Sequence, residues 1–298
     1  MRPSLTATLV AACAAPLVVS LLAVPVRAQP VRATDDRGTL LVLDAPARRV
    51  VTLVPSLSEL VYATGGAASL IAVDSSSNYP LAVANLPRIG DAAGLDLERI
   101  LALHPDLVFG WLSGNKPSDI ARLEQLGVKV FLSEPRRLTD IPRTLRVMGT
   151  LLGTAGVGEE QARAFERRLQ SLHTLAAGAR AVSVFFEVWH QPLITVNGQH
   201  LISDVLTLCG GSNVFESLPA LAPAVSLESV LLADPEVIIA TDVPRDALAA
   251  WNRTPRLRAV QRRQIYELHP DLITRATPRV LEGAEKICRW LDVARQLP

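Results

Sequence analysis

A pattern of fourteen residues occurs twice in this chain and restricts the fold more than any other feature. Asp96 to Phe109 and Ser226 to Ile239 match residue class for residue class. Each has a short polar residue, an apolar stretch with Glu98 or Glu228 in its first turn, a proline at 105 or 235, and a β-branched or aromatic run. Asp96 and Ser226 are N-capping types, whose side-chain oxygens accept from backbone N–H groups at a helix start. Pro105 and Pro235 lack the N–H that a continuing helix needs, so each unit reads as capped helix, stop and buried strand. A second, weaker match sets Ser58-Glu59-Leu60-Val61 before Gly65-Gly66 against Ser203-Asp204-Val205-Leu206 before Gly210-Gly211. The two matches keep their order, about 130 and 145 residues apart. Solenoid repeats recur every roughly 20 to 50 residues, so offsets of this size mean two similar lobes.

Each half carries the alternation of an α/β lobe. Val50 to Val54 is a buried strand by length and β-branching, and Pro55 ends it. Ser56 and Glu59 have the spacing of a capping box, and Gly65-Gly66 end the helix that it starts. Leu70 to Val73 completes a strand, helix, strand opening. Before it, Asp35-Asp36-Arg37-Gly38 leads into Thr39 to Leu43, one arm of a small hairpin. Between the halves, Asp140 to about Ala177 shows helical periodicity and no strand signal. Leu145, Met148, Leu151 and Leu152 mark one helix, Ala162, Phe165, Leu169 and Leu172 another, with Gly153 to Gly158 between them. The second is long and placed to bridge the lobes, where a helix limits hinge motion more than a coil does. The expected fold is α/β, two pseudo-symmetric α/β lobes joined by a long interdomain helix. The expected divisions are a signal peptide (1–28), an N-terminal hairpin or extension (29–46), a first lobe (47–137), linking helices (138–178) and a second lobe (179–298).

The first residues read differently. Arg2 gives a basic start, an apolar stretch runs from Leu9 to Val26, and Val26-Arg27-Ala28 has small residues where a signal peptidase cuts. Cleavage is expected near Ala28, which leaves the mature chain outside the cytoplasm. Pro16 and Pro25 favour a removed signal over a retained membrane helix. Val10-Ala11-Ala12-Cys13 leaves a lipid anchor at Cys13 open, although most of the apolar run follows that cysteine. Removing the signal leaves Cys209 and Cys288, and an isolated pair in an oxidising compartment is expected to form a disulfide. Two buried thiols are the alternative. Without a neighbouring His or acidic cluster the pair is a poor zinc site, and no metal site is expected. The formal net charge of +1 and the lack of a basic stripe exclude nucleic acid as the expected partner. No Walker loop, Gly-x-Ser-x-Gly elbow or His-Glu-x-x-His pair occurs, so the chain is not expected to be an enzyme.

Five motifs carry a family likeness by their order and spacing: Asn78-Tyr79-Pro80; Leu97-Glu98-Arg99-Ile100; Pro105 to Trp111 with Gly114-Asn115; Cys209-Gly210-Gly211-Ser212-Asn213-Val214-Phe215; and Arg275-Ala276-Thr277-Pro278-Arg279. From about Val50 to Leu291 the chain resembles the helical-backbone (class III) periplasmic binding proteins of ABC importers for cobalamin, haem and iron siderophores, with the cobalamin binders most similar. The resemblance implies a periplasmic monomer with no cofactor, whose transported ligand is cobalamin or a related corrinoid and whose partner is an ABC permease dimer in the inner membrane. It also implies that Glu98 and Glu228 enter arginine pockets of that permease. The internal repeat agrees, because it puts one glutamate in the first turn of each equivalent helix. Each carboxylate would also favour its helix N-terminus by about 0.3 to 1 kcal/mol, whatever it docks against.

A corrinoid is a broad, mostly apolar disc edged by amides, so its pocket needs aromatic walls and a few polar groups. The resemblance implies that Tyr79 and Trp111 are ligand-contacting aromatics and that Asp271 and Arg275 are polar contacts. Trp111 also stands at the C-terminal end of a strand, where open α/β sheets bind ligands. Packing is the alternative role for both aromatics, and a mutual i, i+4 pair is the alternative for Asp271 and Arg275. Three positions that are aromatic in the enterobacterial cobalamin binder fall here on Ala92, Ile194 and Ala222. Trp189 and His190 are expected to restore part of that wall. His190 also leaves axial coordination of cobalt or haem iron open. His104 is placed to meet the helix end before Pro105. Haem or an iron siderophore is the alternative cargo: Tyr79 and His190 suit haem, while the near-neutral charge suits an anionic chelate poorly. A corrinoid-processing enzyme is the reading from another class.

Overall fold

A computed structural model describes residues 30–91 and 93–297. The expected signal with its cleavage after Ala28, the anchor alternative at Cys13, and Ala92 lie outside the described residues. The described chain opens with an antiparallel hairpin of β1 (Val31–Thr34) and β2 (Leu40–Leu43). Its turn is held by the buried Asp35 carboxylate, which accepts from the backbone N–H groups of Arg37 and Thr39 and from the Arg37 guanidinium.

The first lobe runs through β3 (Val50–Thr52), α1 (Pro55–Ala63) and β4 (Leu70–Val73), then a small hairpin of β5 (Gly90–Asp91) and β6 (Gly94–Leu95). It continues with α2 (Leu97–Ala102), β7 (Leu107–Trp111), α3 (Pro117–Gln125) and β8 (Val130–Ser133). Two helices follow, α4 (Asp140–Leu151) and α5 (Ala155–Ala176). The second lobe holds β9 (Val182–Glu187), α6 (Leu201–Leu208), β10 (Gly211–Asn213), α7 (Leu227–Ala233) and β11 (Val237–Ala240). It ends with α8 (Arg245–Ala250), α9 (Arg258–Gln261), β12 (Ile265–Glu267) and α10 (Val280–Gln296).

The two main sheets are parallel and share one strand order, β4-β3-β7-β8 in the first lobe and β10-β9-β11-β12 in the second. In each, the second strand lies outside the first, and the third and fourth follow on the other side. Strands such as β3, β8 and β11 are buried throughout, as parallel sheets covered on both faces require. The repeat therefore shows itself as a repeat of topology. Both of its caps form: Asp96 accepts from the Arg99 N–H and Ser226 from the Ser229 N–H. His104 and Asp234 both take a positive φ, 44° and 41°, to turn the chain out of the helix just before its proline. The side chain that meets the end of α2 is Arg49 rather than His104. Its guanidinium, always charged and long in reach, donates to the carbonyls of Leu103 and His104.

The expected capping box at Ser56 and Glu59 does not form. Pro55 is the first residue of α1, Val54 is its N-cap, and no side chain caps it. A proline there already has the helical φ and no N–H to satisfy, so Glu59 is free for a different contact, described below.

Leu145, Met148 and Leu151 of α4, Leu152 just after it, and Ala162, Phe165 and Leu172 of α5 are buried, with Leu169 partly so. They belong to one apolar cluster that runs from β3 and α1 to β9, α6 and α10. By position α4 follows β8 as α10 follows β12, and α5 touches α1 and α4 in one lobe and α6 and α10 in the other. The lobes thus share a core through α5. Cys209, at the end of α6, and Cys288, in α10, form a disulfide with their Cα atoms 4.6 Å apart. Among the described residues, no helix is long and apolar enough to cross a membrane.

Candidate ligand-binding site

A cavity of about 370 Å³ is lined from both lobes. The first lobe contributes residues at or after the C-terminal ends of β3, β4, β7 and β8, and the second contributes the start of α6, Leu221 and the Thr274–Ala276 segment after β12. Trp111, the last residue of β7, is 44% exposed at this cavity. Its ring lies against Gly114, where an added Cβ would overlap the indole. Asn115 fixes the same turn, its Oδ1 accepting the Trp111 N–H at 2.7 Å.

Burial shifts two titratable groups on the wall. His200 caps α6, with Nδ1 accepting the Ile202 N–H at 3.1 Å, so the imidazole proton sits on Nε2. Burial lowers its pKa to about 4, and it is neutral at pH 7. Burial raises the pKa of the Asp74 carboxyl, against hydrogen bonds from Ser77 and Ser76. Asp74 is the end of a buried hydroxyl chain from Thr52 through Ser58 (2.7 Å) and Ser77 (2.8 Å). That chain pins the loop carrying Asn78 and Tyr79.

Arg275 lines the cavity and is heavily engaged. Its Nη1 donates to Glu59 Oε1 and Asn78 Oδ1, both at 2.7 Å, and its Nη2 to Asp271 Oδ1 at 2.7 Å. The mutual pair of Asp271 and Arg275 is therefore present, and it extends into the first lobe, where Asn78 Nδ2 donates to Asp271 Oδ2 at 3.0 Å. Tyr79 carries the Arg279 guanidinium 3.9 Å above its ring and leaves nearly half its surface exposed. Tyr79 and Asp271 line neither this cavity nor the one described next; they sit in the polar contact between the lobes.

A second, open cavity of about 830 Å³ lies on the second lobe at the C-terminal ends of β9, β11 and β12, lined by Trp189, His190, Asp242, Glu267 and His269 among others. His190 Nδ1 lies 2.8 Å from Oε1 of the buried Glu187, whose Oε2 accepts the Trp251 indole N–H at 2.7 Å. A proton on Nδ1 leaves Nε2 as the ring's acceptor, the way metal-ligating imidazoles are oriented. Ile194 lines neither cavity and bridges Trp189 and Ala224. Ala222 is exposed, and the neighbouring Leu221 supplies inter-lobe wall that is apolar but not aromatic. Among the described residues, no group of three or more His, Cys, Asp or Glu side chains is placed to hold a metal ion.

Glu98 and Glu228 are exposed in the first turns of α2 and α7. Hydrogen bonds from its own backbone N–H and from Ser226 hold the Glu228 carboxyl below its usual pKa. Sequence reasoning missed the contacts of Glu59 and the supports of His190, Glu187 and Trp251. Gly114-Asn115 stood among the family motifs, but not as the seat of Trp111.

Two lobes of one topology, a helix that shares its core with both, and a cavity walled by both define a two-lobed binding protein. The chain belongs to the periplasmic binding protein family, whose model matches residues 50–272, and so to proteins that bind solutes rather than transform them. It is 34% identical over 264 residues to the vitamin B12-binding protein of Vibrio cholerae, covering 87% of this chain and 94% of that one. The vitamin B12-binding protein of Photorhabdus laumondii is 33% identical over 251 residues, covering 84% of this chain and 90% of that one. The crystal structure of the Vibrio cholerae protein matches with a TM-score of 0.79 over 85% of this chain and 99% of that chain. A periplasmic haem-binding protein from Roseiflexus shares the fold, with a TM-score of 0.75 at 24% identity over 84% of this chain and 100% of that one.

Proposed function

We propose that this protein captures cobalamin or a related corrinoid between its lobes in the periplasm and delivers it to an ABC importer. The observation that carries the reading is the inter-lobe cavity with Trp111 at its wall, in a chain one third identical to vitamin B12-binding proteins over nearly its whole length. An indole face suits the apolar corrin, and Arg275 with the His200 Nε2–H suits the carbonyl oxygens of its amides. Trp189 and His190 extend the wall along the second lobe, while Tyr79, Ile194 and Asp271 support it from neighbouring positions. Glu98 and Glu228 dock the carrier, as a monomer, onto the two halves of a permease dimer, with residues 47–137 and 179–298 as the lobes, 138–178 as the link, and cleavage near Ala28. Deleting the gene should abolish corrinoid uptake, and the wild-type chain should restore it; uptake unchanged by deletion would defeat the delivery role.

One observation favours haem as a second cargo: the His190 imidazole, held by a buried carboxylate, has Nε2 available to a metal centre. An iron-siderophore cargo has no comparable support.

A further inference from the structure

The repeat pairs Glu59 on α1 with Asp204 on α6, and each carboxylate reaches the opposite lobe. Glu59 Oε1 accepts from Nη1 of Arg275 at 2.7 Å and from Nη1 of Arg279 at 3.1 Å, and Oε2 accepts from the Thr277 hydroxyl at 3.0 Å. Asp204 Oδ2 accepts the Leu138 N–H at 2.8 Å, and Oδ1 lies 3.5 Å from Nη1 of Arg137. The donors are equivalent as well: Arg275–Arg279 lead from β12 into α10, and Arg137–Leu138 lead from β8 into α4. The first helix of each lobe thus grips the other lobe's approach to the helix after its fourth strand. The inter-lobe cavity lies between the two grips. The starts of α1 and α6 line it, as do Arg136 and Arg275 from the gripped segments, whereas Glu59 and Asp204 do not.

The two grips differ in strength. The Glu59 side chain is 3% exposed, and removing its charge would leave two mostly buried guanidiniums four residues apart without their shared counter-charge. Arg279 is also stacked on Tyr79, and Arg275 is tied to Asn78. The Asp204 and Arg137 side chains are 24% and 61% exposed, in the range where ion pairs are weak, and one backbone hydrogen bond carries that contact.

We propose that Glu59 and Asp204 are reciprocal clasps that position the walls of the ligand cavity, with the Glu59 clasp as the fixed pivot and the Asp204 clasp as the one that releases. Both are positioning residues. The pivot holds Arg275 and, through Arg279, Tyr79 in place, and opening at Asp204 admits the ligand. The ligand part of the test rests on the corrinoid reading; the distance part does not.

Spin labels on Gln125→Cys and Asn252→Cys, both exposed and on different lobes, report the lobe separation in ligand-free protein. The wild-type background should give one narrow distance distribution, Asp204→Ala, which removes the acceptor of the Leu138 N–H, an added longer-distance population, and Glu59→Gln a broad one. With cyanocobalamin, Asp204→Ala should raise association and dissociation rates at least threefold with Kd within threefold, whereas Glu59→Gln should weaken Kd at least tenfold. Glu59→Asp, which keeps the charge, should recover part of that loss. Should Glu59→Gln fail to fold, Thr277→Val removes one contact of the Glu59 clasp and should weaken Kd threefold or more. Wild-type distances and rates in Asp204→Ala, or unchanged affinity in the variants of the Glu59 clasp, would overturn the proposal. If wild-type protein binds no corrinoid, the cargo reading fails, and the distance distributions alone decide for or against the clasps.

Discussion

Replacing Trp111 by alanine tests the ligand wall at its one aromatic side chain other than His200. The residue is 44% exposed and lines the inter-lobe cavity. An aromatic side chain the size of Trp offers up to about 250 Å², so at most roughly 110 Å² is there for a ligand to cover. At about 25 cal/mol per Å² this is worth roughly 2.8 kcal/mol, a loss of about 100-fold in affinity at 1.4 kcal/mol per decade. A ligand that covers half of that area gives about tenfold. The measurement is a calorimetric or fluorescence titration of wild-type and Trp111→Ala protein with cyanocobalamin, beside thermal unfolding of both without ligand. Gly114→Ala provides the geometric control, because its new methyl would sit where the indole now lies and displace the ring without deleting it. It should lose affinity in the same direction. A change of less than threefold in Trp111→Ala would refute the assignment of this tryptophan to the ligand wall.

Three further outcomes follow from the same geometry. Reversing both docking charges, Glu98→Arg with Glu228→Arg, should abolish uptake in cells while leaving cyanocobalamin affinity within twofold, since neither residue lines either cavity; a matching loss of affinity would contradict docking. The Cys209–Cys288 bridge closes a sequence separation of 79 residues. Chain entropy for a loop of that length gives about 4.5 kcal/mol, so Cys209→Ser with Cys288→Ser should lower the free energy of unfolding in urea by a few kcal/mol, and an unchanged midpoint would refute it. His200 titrates near 4 when folded, below the unfolded imidazole, so below about pH 6.5 the unfolded chain binds the extra proton. Stability from this group is therefore complete above about pH 6.5 and is lost as pH falls towards 4, by up to about 3 kcal/mol. His200→Asn, which keeps a capping oxygen, should flatten that part of the urea-midpoint curve, and superimposable curves would contradict the assignment.

The lobes were legible because their signals are local: Asp96 and Ser226 cap helices that stop before a proline, and each decision is made within a few residues. The same habit of reading misassigned Glu59. Its Ser-x-x-Glu spacing is that of a cap, but its partners are 216 to 220 residues away, beyond any local pattern. Trp111 and Arg275 were found and do share one cavity, whereas Trp189 and His190 line another on the second lobe. Tyr79 stands out in the sequence through the family resemblance alone, and its ring is partly taken by Arg279. Glu187 went unremarked because an acid closing the strand Val182–Glu187 looks like a solvated end, and only the fold buries it between Trp251 and His190. Charge pairs made across lobes depend on how the lobes meet, which no periodicity encodes.

The central claim, a corrinoid held between the lobes, is tested most directly by titrating one purified preparation with cyanocobalamin, haemin and a ferric siderophore under identical conditions. The account predicts one-to-one binding of cyanocobalamin, tighter than either competitor and weakened by Trp111→Ala. Tight binding of haemin or the siderophore with none of cyanocobalamin would contradict it.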